Sequence, residues 1–257
     1  MKKKDPTLYI SPLLNLGQIT RRETPLRIAF LHQPQRGGGA GPLATLVRER
    51  QALAFDLLLY AHTVAPLAEG HPIRATSAQW MHAIGIKESV GNRATVSRSW
   101  GWLERQGLVR RHREGRVRGI EILREDGSGR TWQAAYVEDE PYFGLPLAYW
   151  RGGYARQLAL PAKAVLLIGF SLQSREEEFF ELPLERASDW YGLSISTLRR
   201  GLGELRERRL LRRWAQERDT RKSPLGHTYD QRYALNKLRE PWPPKEPVPE
   251  EGEGIPF

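Results

Sequence analysis

Arginine side chains recur at matched positions in two segments of this chain that lie 102 residues apart. In residues 95–111, and again in residues 197–213, apolar residues spaced at i, i+4 and i+7 predict a helix with one buried face. Arg98 and Arg200 then fall on the opposite, exposed face. An arginine in that position can donate two hydrogen bonds to O6 and N7 of guanine in the major groove of DNA. The spacing therefore predicts two helices that contact base edges.

The side chains around these two arginines extend the predicted base-reading set. Glycines follow one turn later at matched positions, Gly101 and Gly203, and a glycine lets DNA approach the helix backbone closely. A solvated charged helix face is the alternative interpretation, and the repetition at matched positions argues against it. The predicted base-reading residues are Arg93, Ser97, Arg98, Ser196, Arg199 and Arg200.

An extended segment rich in basic residues follows each helix. Residues 109–113 and 116–123 predict one β-hairpin, and residues 210–215 and 232–235 predict a second, with a long charged tip over residues 217–229. Basic hairpins of this kind hold DNA phosphates and add salt-dependent affinity, whereas a solubilising loop is the alternative. The predicted phosphate-binding residues are Arg110, Arg111, Arg113, Arg116, Arg118, Arg218, Arg221, Lys222 and His227.

A helix followed by a basic hairpin is the order in which a winged-helix domain is built, and here it occurs twice. The sequence therefore predicts an α+β fold, mainly helical, with two tandem winged-helix domains over residues 45–140 and 141–239. Residues 1–44, which contain five prolines and a glycine run, predict a flexible N-terminal arm, in which the apolar runs 8–16 and 26–31 could form strands that dock elsewhere. Residues 240–257 are acidic and proline-rich, and they predict a disordered tail.

The rest of the sequence predicts the joint between the two domains and their other helices and strands. Residues 138–141 are acidic and end in proline, so they predict the joint between the domains. Lys163, early in a predicted helix, is expected to be a surface residue or a phosphate anchor. The predicted helices cover residues 43–64, 93–106, 161–173, 184–191 and 194–208, with a short helix capped by Thr76 or Ser77 and ending near residues 84–86. Further strands are predicted over residues 131–137 and 179–182.

The charge balance indicates a polyanionic partner. The whole chain has a net charge of +10, and the last 18 residues hold five glutamates and one lysine, so residues 1–239 carry +14. Of the 40 basic residues 32 are arginine, which suits nucleic acid, although a GC-rich genome also favours arginine codons. No apolar run is long enough to span a membrane, and no apolar stretch follows the first lysines, so a cytoplasmic protein is expected.

Catalytic and metal-binding patterns are missing from the sequence. There are no cysteines, and the six histidines have no metal-ligand spacing. The glutamate run at residues 176–178 lies in a predicted loop without a histidine or aspartate nearby. No nucleotide-binding or nucleophile motif is present. We therefore expect no enzyme activity, no cofactor and no metal.

Three stretches of the second half carry a family resemblance. Residues 158–167, 187–194 and 196–205, the last followed by Leu210 and Leu211, resemble the tandem winged-helix and helix-turn-helix domains of bacterial plasmid replication proteins, phage replisome organisers and related regulators. The resemblance covers about 80 residues well and the first half only loosely. It departs at Gly203, which weakens a helix by about 1 kcal/mol relative to alanine.

The resemblance implies a biological role and partners. It favours a plasmid or phage replication initiator or organiser, with a transcriptional regulator as the alternative; replication proteins or RNA polymerase are the corresponding protein partners. A nuclease or recombinase would need a catalytic constellation that the sequence lacks. Two DNA-contacting helices in one chain allow a monomer to bind an asymmetric site, whereas dimerisation through residues 1–44 would require a palindrome.

Overall fold

Helices form about half of the chain, and the strands form small antiparallel sheets. The computed structural model of the chain describes residues 16–33, 39–68, 70–114, 117–173, 178–219 and 227–240. This combination of helices with small antiparallel sheets agrees with the α+β class that the sequence predicts. The predicted acidic tail, apart from Glu240, lies outside the described residues.

The first repeat unit consists of three helices and a three-stranded sheet. Its order along the chain is α2 (Ala52–Val64), β2 (Ile73–Arg74), α3 (Ser77–Ala83), α4 (Val90–Arg105), β3 (Val109–Glu114) and β4 (Val117–Ile122). All pairings are antiparallel, with β4 in the middle between β2 and β3. Thr76 begins α3 with a capping box, in which its side chain accepts a hydrogen bond from the backbone of Gln79 and the Gln79 side chain accepts one in return.

The second repeat unit has the same succession of elements. It consists of α7 (Leu160–Leu172), β6 (Phe180–Glu181), α8 (Leu184–Tyr191), α9 (Ile195–Glu207), β7 (Leu211–Asp219) and β8 (His227–Leu235). Here β8 lies between β6 and β7, as β4 lies between β2 and β3 in the first unit. The two units therefore share both the order of elements and the order of strands.

The offset of 102 residues is kept at the end of the last helix of each unit. Helix α4 ends at residue 105 and α9 at residue 207, and the hairpins begin at Val109 and Leu211. Between helix and hairpin, Gly107 and Arg209 both have a positive φ, of 68° and 56°. At Gly107 an added Cβ would lie 2.7 Å from the carbonyl oxygen of Gly127, so this position needs glycine. The sequence repeat is thus also a structural repeat.

Outside the two repeat units, the described residues form two more strands and three more α-helices: β1 (Glu23–Arg27), β5 (Tyr142–Pro146), α1 (Pro42–Arg48), α5 (Ala148–Arg151) and α6 (Tyr154–Gln157). Strands β1 and β5 pair in an antiparallel two-stranded sheet. Leu26, Phe30, Leu31 and Leu43 are each at most 1% exposed and belong to one apolar cluster that includes residues of both units. The prediction of a flexible arm is therefore wrong for residues 16–33 and 39–44, because their apolar side chains are buried by elements distant in sequence.

Three predicted elements differ from the structure. The second hairpin is longer than predicted, because its paired strands extend to Asp219 and from His227, within the segment expected to be a charged tip. The helix predicted over residues 43–64 is two helices, α1 and α2. Helix α1 ends because Arg50 takes a φ of 55° and the backbone N–H of Gln51 donates a hydrogen bond to the carbonyl oxygen of Leu46. The strand predicted over residues 131–137 is wrong, since β2 occupies that edge of β4 and Ile73 is buried there. Of residues 131–137, Thr131 forms an isolated bridge to Leu123, and residues 135–137 form a short 3₁₀ helix.

The other helices lie close to their predicted positions. Helix α8 has the predicted bounds, and α7 and α9 differ from theirs by one residue at each end. Helix α4 begins three residues earlier than predicted, because Ser89 caps it and the pair Gly91–Asn92 lies within its first turn. The predicted domain boundaries at residues 44, 140 and 239 stay predictions.

Candidate nucleic-acid interface

Helix α4 buries one face and exposes the face predicted to contact bases. The side chain of Ser89 accepts a hydrogen bond from the backbone of Asn92 at 3.1 Å, which satisfies an orphan donor of the first turn. The apolar positions of the stripe, Val96, Trp100 and Leu103, are at most 4% exposed. Packing of this stripe fixes the rotation of the helix and therefore decides which side chains face solvent.

The predicted base-reading residues of α4 take different positions. Arg98 is exposed, and its Nη2 donates a hydrogen bond to Oγ1 of Thr95 at 3.1 Å. Arg93 is also exposed, with an ion pair to Glu88 that competes with any other anion. Ser97 is half-buried and lines a cavity behind the helix. The structure therefore places Arg93 and Arg98 on the open surface and Ser97 at its border.

Helix α9 has the same construction. The Oγ of Ser194 accepts a hydrogen bond from the backbone of Thr197 at 3.2 Å, and the buried stripe is Leu198, Leu202 and Leu205, at most 6% exposed. The three predicted base-reading residues of this helix are all exposed: Ser196, Arg199 and Arg200. All three are therefore open to solvent on α9, and their contact with bases stays a prediction.

The glycines of the two helices have unequal surroundings. A Cβ added to Gly203 would meet nothing within 4 Å, whereas a Cβ on Gly101 would lie 3.5 Å from the guanidinium of Arg111 and 3.7 Å from that of Arg105. Gly101 is thus covered by arginine side chains and does not present bare backbone. Sequence reasoning missed the role of Gly201. An added Cβ there would lie 2.5 Å from the carbonyl oxygen of Pro161, because α9 crosses α7 at Gly201.

The basic side chains described in the hairpin of the first unit form ion pairs with carboxylates of the same unit. Arg110 and His112 both contact Glu121, at 3.0 Å and 2.7 Å. Arg111 lies 2.6 Å from Glu104, and although burial opposes ionisation, hydrogen bonds from Arg111 lower the pKa of Glu104. Any phosphate at this hairpin therefore competes with Glu104 and Glu121 for the arginines.

Four of the other predicted phosphate-binding residues lie near the ends of the hairpin strands. Arg113 and Arg118 are register partners on β3 and β4, and Arg218 and His227 lie on β7 and β8. The side chains of these four are not among those described. The remaining three, Arg116, Arg221 and Lys222, lie outside the described residues.

Lys163 is buried, so its prediction as a surface residue or phosphate anchor is wrong. Its side chain is 4% exposed, and its Nζ lies 2.6 Å from Oδ2 of Asp56 on α2. Burial raises the pKa of Asp56 to about 6, against the opposing effect of the Lys163 charge. No local pattern signalled this pair, because its two residues are 107 positions apart.

A second buried ion-pair network surrounds Arg27. Its side chain is 1% exposed and contacts Glu125 at 2.6 Å, and it also forms ion pairs with Glu138 and Glu140. Arg124 joins the network at 2.8 Å from Glu138 and 2.5 Å from Glu140. The acidic segment predicted as a joint between domains therefore also fixes β1 to the end of β4 by ion pairs.

The described part of the chain contains no group of three His, Cys, Asp or Glu residues placed to hold a metal ion. Among the same residues, none of the helices combines the length and the apolar character that crossing a bilayer needs. Comparison of the chain with protein-family models, curated protein sequences and solved structures gave no match.

Proposed function

We propose that this protein binds double-stranded DNA site-specifically through two tandem winged-helix domains. The observation that carries the proposal is the pair of exposed faces on α4 and α9, with Arg98 and Arg200 at equivalent positions. In this proposal each helix lies in the major groove, and the arginines donate to base edges.

The repeated succession of elements supports the winged-helix assignment. In both units a helix, a short strand, two helices and a β-hairpin follow one another, and the hairpin's second strand is central in the sheet. The hairpins correspond to the wings, and the helices α4 and α9 precede them directly. The resemblance of residues 158–211 to replication-protein domains agrees with this assignment in the second unit.

The charge distribution supports DNA as the partner. Residues 1–239 carry a net charge of +14 within a chain total of +10. Arginine provides most of this charge, and its planar guanidinium suits both phosphates and guanine edges. In this proposal the hairpin residues, such as Arg110, contact phosphates, so they add affinity without reading sequence.

A binding titration tests this part of the proposal. A preferred duplex is selected from a random library, and its affinity is compared with that of scrambled duplexes at several salt concentrations. We expect a clear preference for the selected sequence and a linear fall of log affinity with log salt. Equal affinity for every duplex, or no binding at low salt, would contradict the proposal.

A matched pair of variants connects that result to the proposed faces. The double substitution Arg98→Ala and Arg200→Ala removes both central arginines. The control replaces two exposed arginines outside α4 and α9, Arg48 on α1 and Arg151 on α5, so that the net charge falls equally. The first pair is expected to abolish the preference for the selected duplex, and the control pair is expected to retain it.

For the biological role, we propose that the protein initiates or organises replication of a plasmid or phage. The support is the family resemblance of the second half. A plasmid that carries the gene and its flanking DNA is expected to replicate in a naive host. If that plasmid is lost while the protein is made and still binds its site, the protein is a transcriptional regulator instead.

A further inference from the structure

The first turn of helix α4 carries an exposed valine at the end of the candidate DNA-contacting face. Val90 is the first residue of α4 and is 84% exposed, more than any other large apolar side chain that the structure describes. A single exposed apolar residue is ordinary on a protein surface, so exposure alone assigns no role. Its position is informative, because the N-terminal residues of a groove-binding helix are the ones that reach base edges.

Val90 lies in line with Arg98, the arginine proposed to contact bases. Residues four apart on a helix form a row along its surface, so Val90, Ala94 and Arg98 belong to one row. All three are exposed. Successive members lie about 6 Å apart along the axis, at roughly 1.5 Å per residue. The exposed row therefore begins with two apolar side chains and continues with the arginine.

Polar contacts at the start of α4 fix the position of Val90 and leave its side chain open. The Oγ of Ser89 accepts a hydrogen bond from the backbone of Asn92 at 3.1 Å, which begins the helix at Val90. The carboxylate of Glu88 forms an ion pair with Arg93, so its negative charge beside this turn is compensated. The first turn therefore presents an apolar side chain next to a neutralised pair of charges.

Helix α9 differs from α4 at its own start. The residues 102 positions after Val90 and Ala94 are Gly192 and Ser196. Gly192 is the C-cap of α8, so α4 begins earlier within the repeat than α9 does. The Oγ of Ser196 lies 2.9 Å from that of Ser194, so a polar group occupies the position of Ala94. The two exposed faces therefore share their arginine but differ at their N-terminal ends.

The major groove offers one apolar group that a valine can recognise. Thymine presents its C5 methyl group there, whereas the other base edges present hydrogen-bond donors and acceptors. The side chain of Val90 has no polar atom, so it would cover those donors and acceptors without replacing their bonds to water. Contact with a thymine methyl group instead removes two apolar surfaces from water together. An exposed valine at this position therefore favours thymine over the other three bases.

We propose that Val90 contacts the C5 methyl group of a thymine and makes the protein select that base in the segment bound by α4. Ala94, whose side chain is a single methyl group, allows the helix to approach the base edges closely enough for this contact. The inference rests on the proposed DNA binding and adds a base preference to it. Because α9 has Gly192 and Ser196 at the corresponding positions, this contact is restricted to one of the two segments.

The test removes the methyl group from the DNA and the valine from the protein separately. Each thymine of the selected duplex is replaced, one at a time, by deoxyuridine, which keeps the base pairing but lacks the methyl group. The α4 segment is the one whose footprint is lost in the Arg98→Ala variant. Replacing one thymine there should weaken binding of the full-length wild-type protein about three- to fivefold, as burial of one methyl group implies. The Val90→Ser variant should bind the thymine and uracil duplexes equally, as measured by fluorescence anisotropy.

Val137→Ser is the matched control, because Val137 is 63% exposed and lies outside α4 and α9. This variant should keep the wild-type sensitivity to uracil. The proposal would be overturned if the α4 segment of the selected duplex contains no thymine, or if none of its thymines is sensitive to loss of the methyl group. Equal sensitivity of Val90→Ser and the wild type would also overturn it. In each case the selected duplex is still preferred, whereas failure of the proposed function would mean that no duplex is preferred.

Discussion

The ammonium group of Lys163 lies 2.6 Å from one carboxylate oxygen of Asp56 and 2.8 Å from the other, inside the core. Asp56 belongs to α2 and Lys163 to α7, the first helices of the two repeat units. Their side chains are only 14% and 4% exposed, so each charge depends on the other for its stabilisation. This pair therefore couples the packing of one unit to that of the other.

Substituting Lys163 with methionine is expected to make stability depend strongly on pH. Burial raises the pKa of Asp56 to about 6 from its ordinary 3.8, so the folded state binds the proton more tightly than the unfolded chain. Ionisation of Asp56 consequently lowers the free energy of unfolding as the pH rises from about 4 through 6. In the Lys163→Met variant, this fall in the free energy of unfolding is larger and extends to higher pH. Urea denaturation should show a loss of about 3–5 kcal/mol at pH 7.5 and a clearly smaller loss at pH 5.

The control for this prediction removes both charges. The double variant with Asp56→Asn and Lys163→Met leaves no unpaired buried charge, so most of the lost stability should return and the added pH dependence should disappear. If the single variant Lys163→Met shows a pH profile parallel to that of the wild type, the pair does not have the electrostatic role that its geometry indicates.

Arg200 and Arg110 are expected to affect DNA binding in different ways. Arg200→Ala should weaken binding to the preferred duplex by about 1–3 kcal/mol and relax the requirement at one base position. Arg110→Ala, on the hairpin, should weaken all duplexes equally and reduce the slope of log affinity against log salt by about one. Fluorescence anisotropy against a panel of single-base variants distinguishes the two. Identical behaviour of the two variants across the panel would show that the assigned roles are wrong.

The two glycines of α9 provide a matched pair for separating stability from binding. Gly203→Ala should raise the free energy of unfolding by up to about 1 kcal/mol, because alanine favours helix and its Cβ meets nothing within 4 Å. The same change should weaken DNA binding, since the added methyl group keeps the helix backbone from the DNA. Thermal denaturation and anisotropy measure the two effects. A stabilised variant with unchanged affinity would exclude a close backbone approach at Gly203.

Gly201→Ala is expected to act in the opposite direction on stability. Its Cβ would lie 2.5 Å from the Pro161 carbonyl oxygen and 2.6 Å from Cγ2 of Val165, so α7 and α9 must separate. Overpacking of this kind costs about 1–3 kcal/mol. Any loss of DNA binding by the Gly201→Ala variant should therefore be proportional to its loss of folded protein. The loss of DNA binding by the Gly203→Ala variant should occur without a loss of folded protein.

Helix α9 and its exposed residues could be predicted from sequence because the signals are local. Ser194 precedes the helix as a cap, and the spacing of Leu198, Leu202 and Leu205 decides which side is buried, so the exposure of Arg200 follows from geometry alone. The same reasoning located α4, apart from its first turn. Each of these predictions needed only residues within about four turns of one another.

Most of the features that sequence reasoning missed depend on contacts between distant residues. Strand β1 pairs with β5, where Leu26 lies opposite Phe143, and nothing near Leu26 indicates that partner. Lys163 lies in a helix that is apolar on nearly every side, which is typical of a buried helix, but only the fold brings Asp56 to its side chain. The cavity behind α4, which Ser97 lines, also depends on how distant elements meet. Local periodicity assigns elements and faces, but it does not specify which distant element covers each face.

The Arg27 network is expected to control stability in acid. Although burial opposes ionisation, hydrogen bonds from Arg124 and Arg27 lower the pKa of Glu140 below its ordinary 4.5. The stability that these contacts provide is present above pH 4.5 and is lost as the pH falls through the lowered pKa. Arg27→Met leaves Glu125, 1% exposed, without its contact at 2.6 Å, so about 3–5 kcal/mol should be lost at neutral pH. The remaining dependence on pH between 5 and 3 should be shallower than in the wild type.

Arg130→Met is the matched control for that substitution. Arg130 is 65% exposed and lies 3.2 Å from Asp126, so its ion pair is screened by solvent and should contribute at most about 1 kcal/mol. Denaturant titrations at pH 7, 5 and 3 compare the two variants. Equal losses for Arg27→Met and Arg130→Met would mean that the buried network contributes no more than a surface pair.

If the proposed DNA binding is right, the exposed faces of α4 and α9 are expected to protect two segments of one site. Because α4 and α9 belong to the same chain, a single molecule can place them in major-groove segments about one helical turn, or about 10 base pairs, apart. Hydroxyl-radical footprinting should then show two protected segments without a palindrome, and sedimentation should give one protein per duplex. Arg98→Ala should remove protection from one segment and Arg200→Ala from the other, since each arginine belongs to a different helix. A palindromic footprint occupied by two copies would instead require a dimer, and deletion of residues 1–15 would then show whether the N-terminal segment forms it.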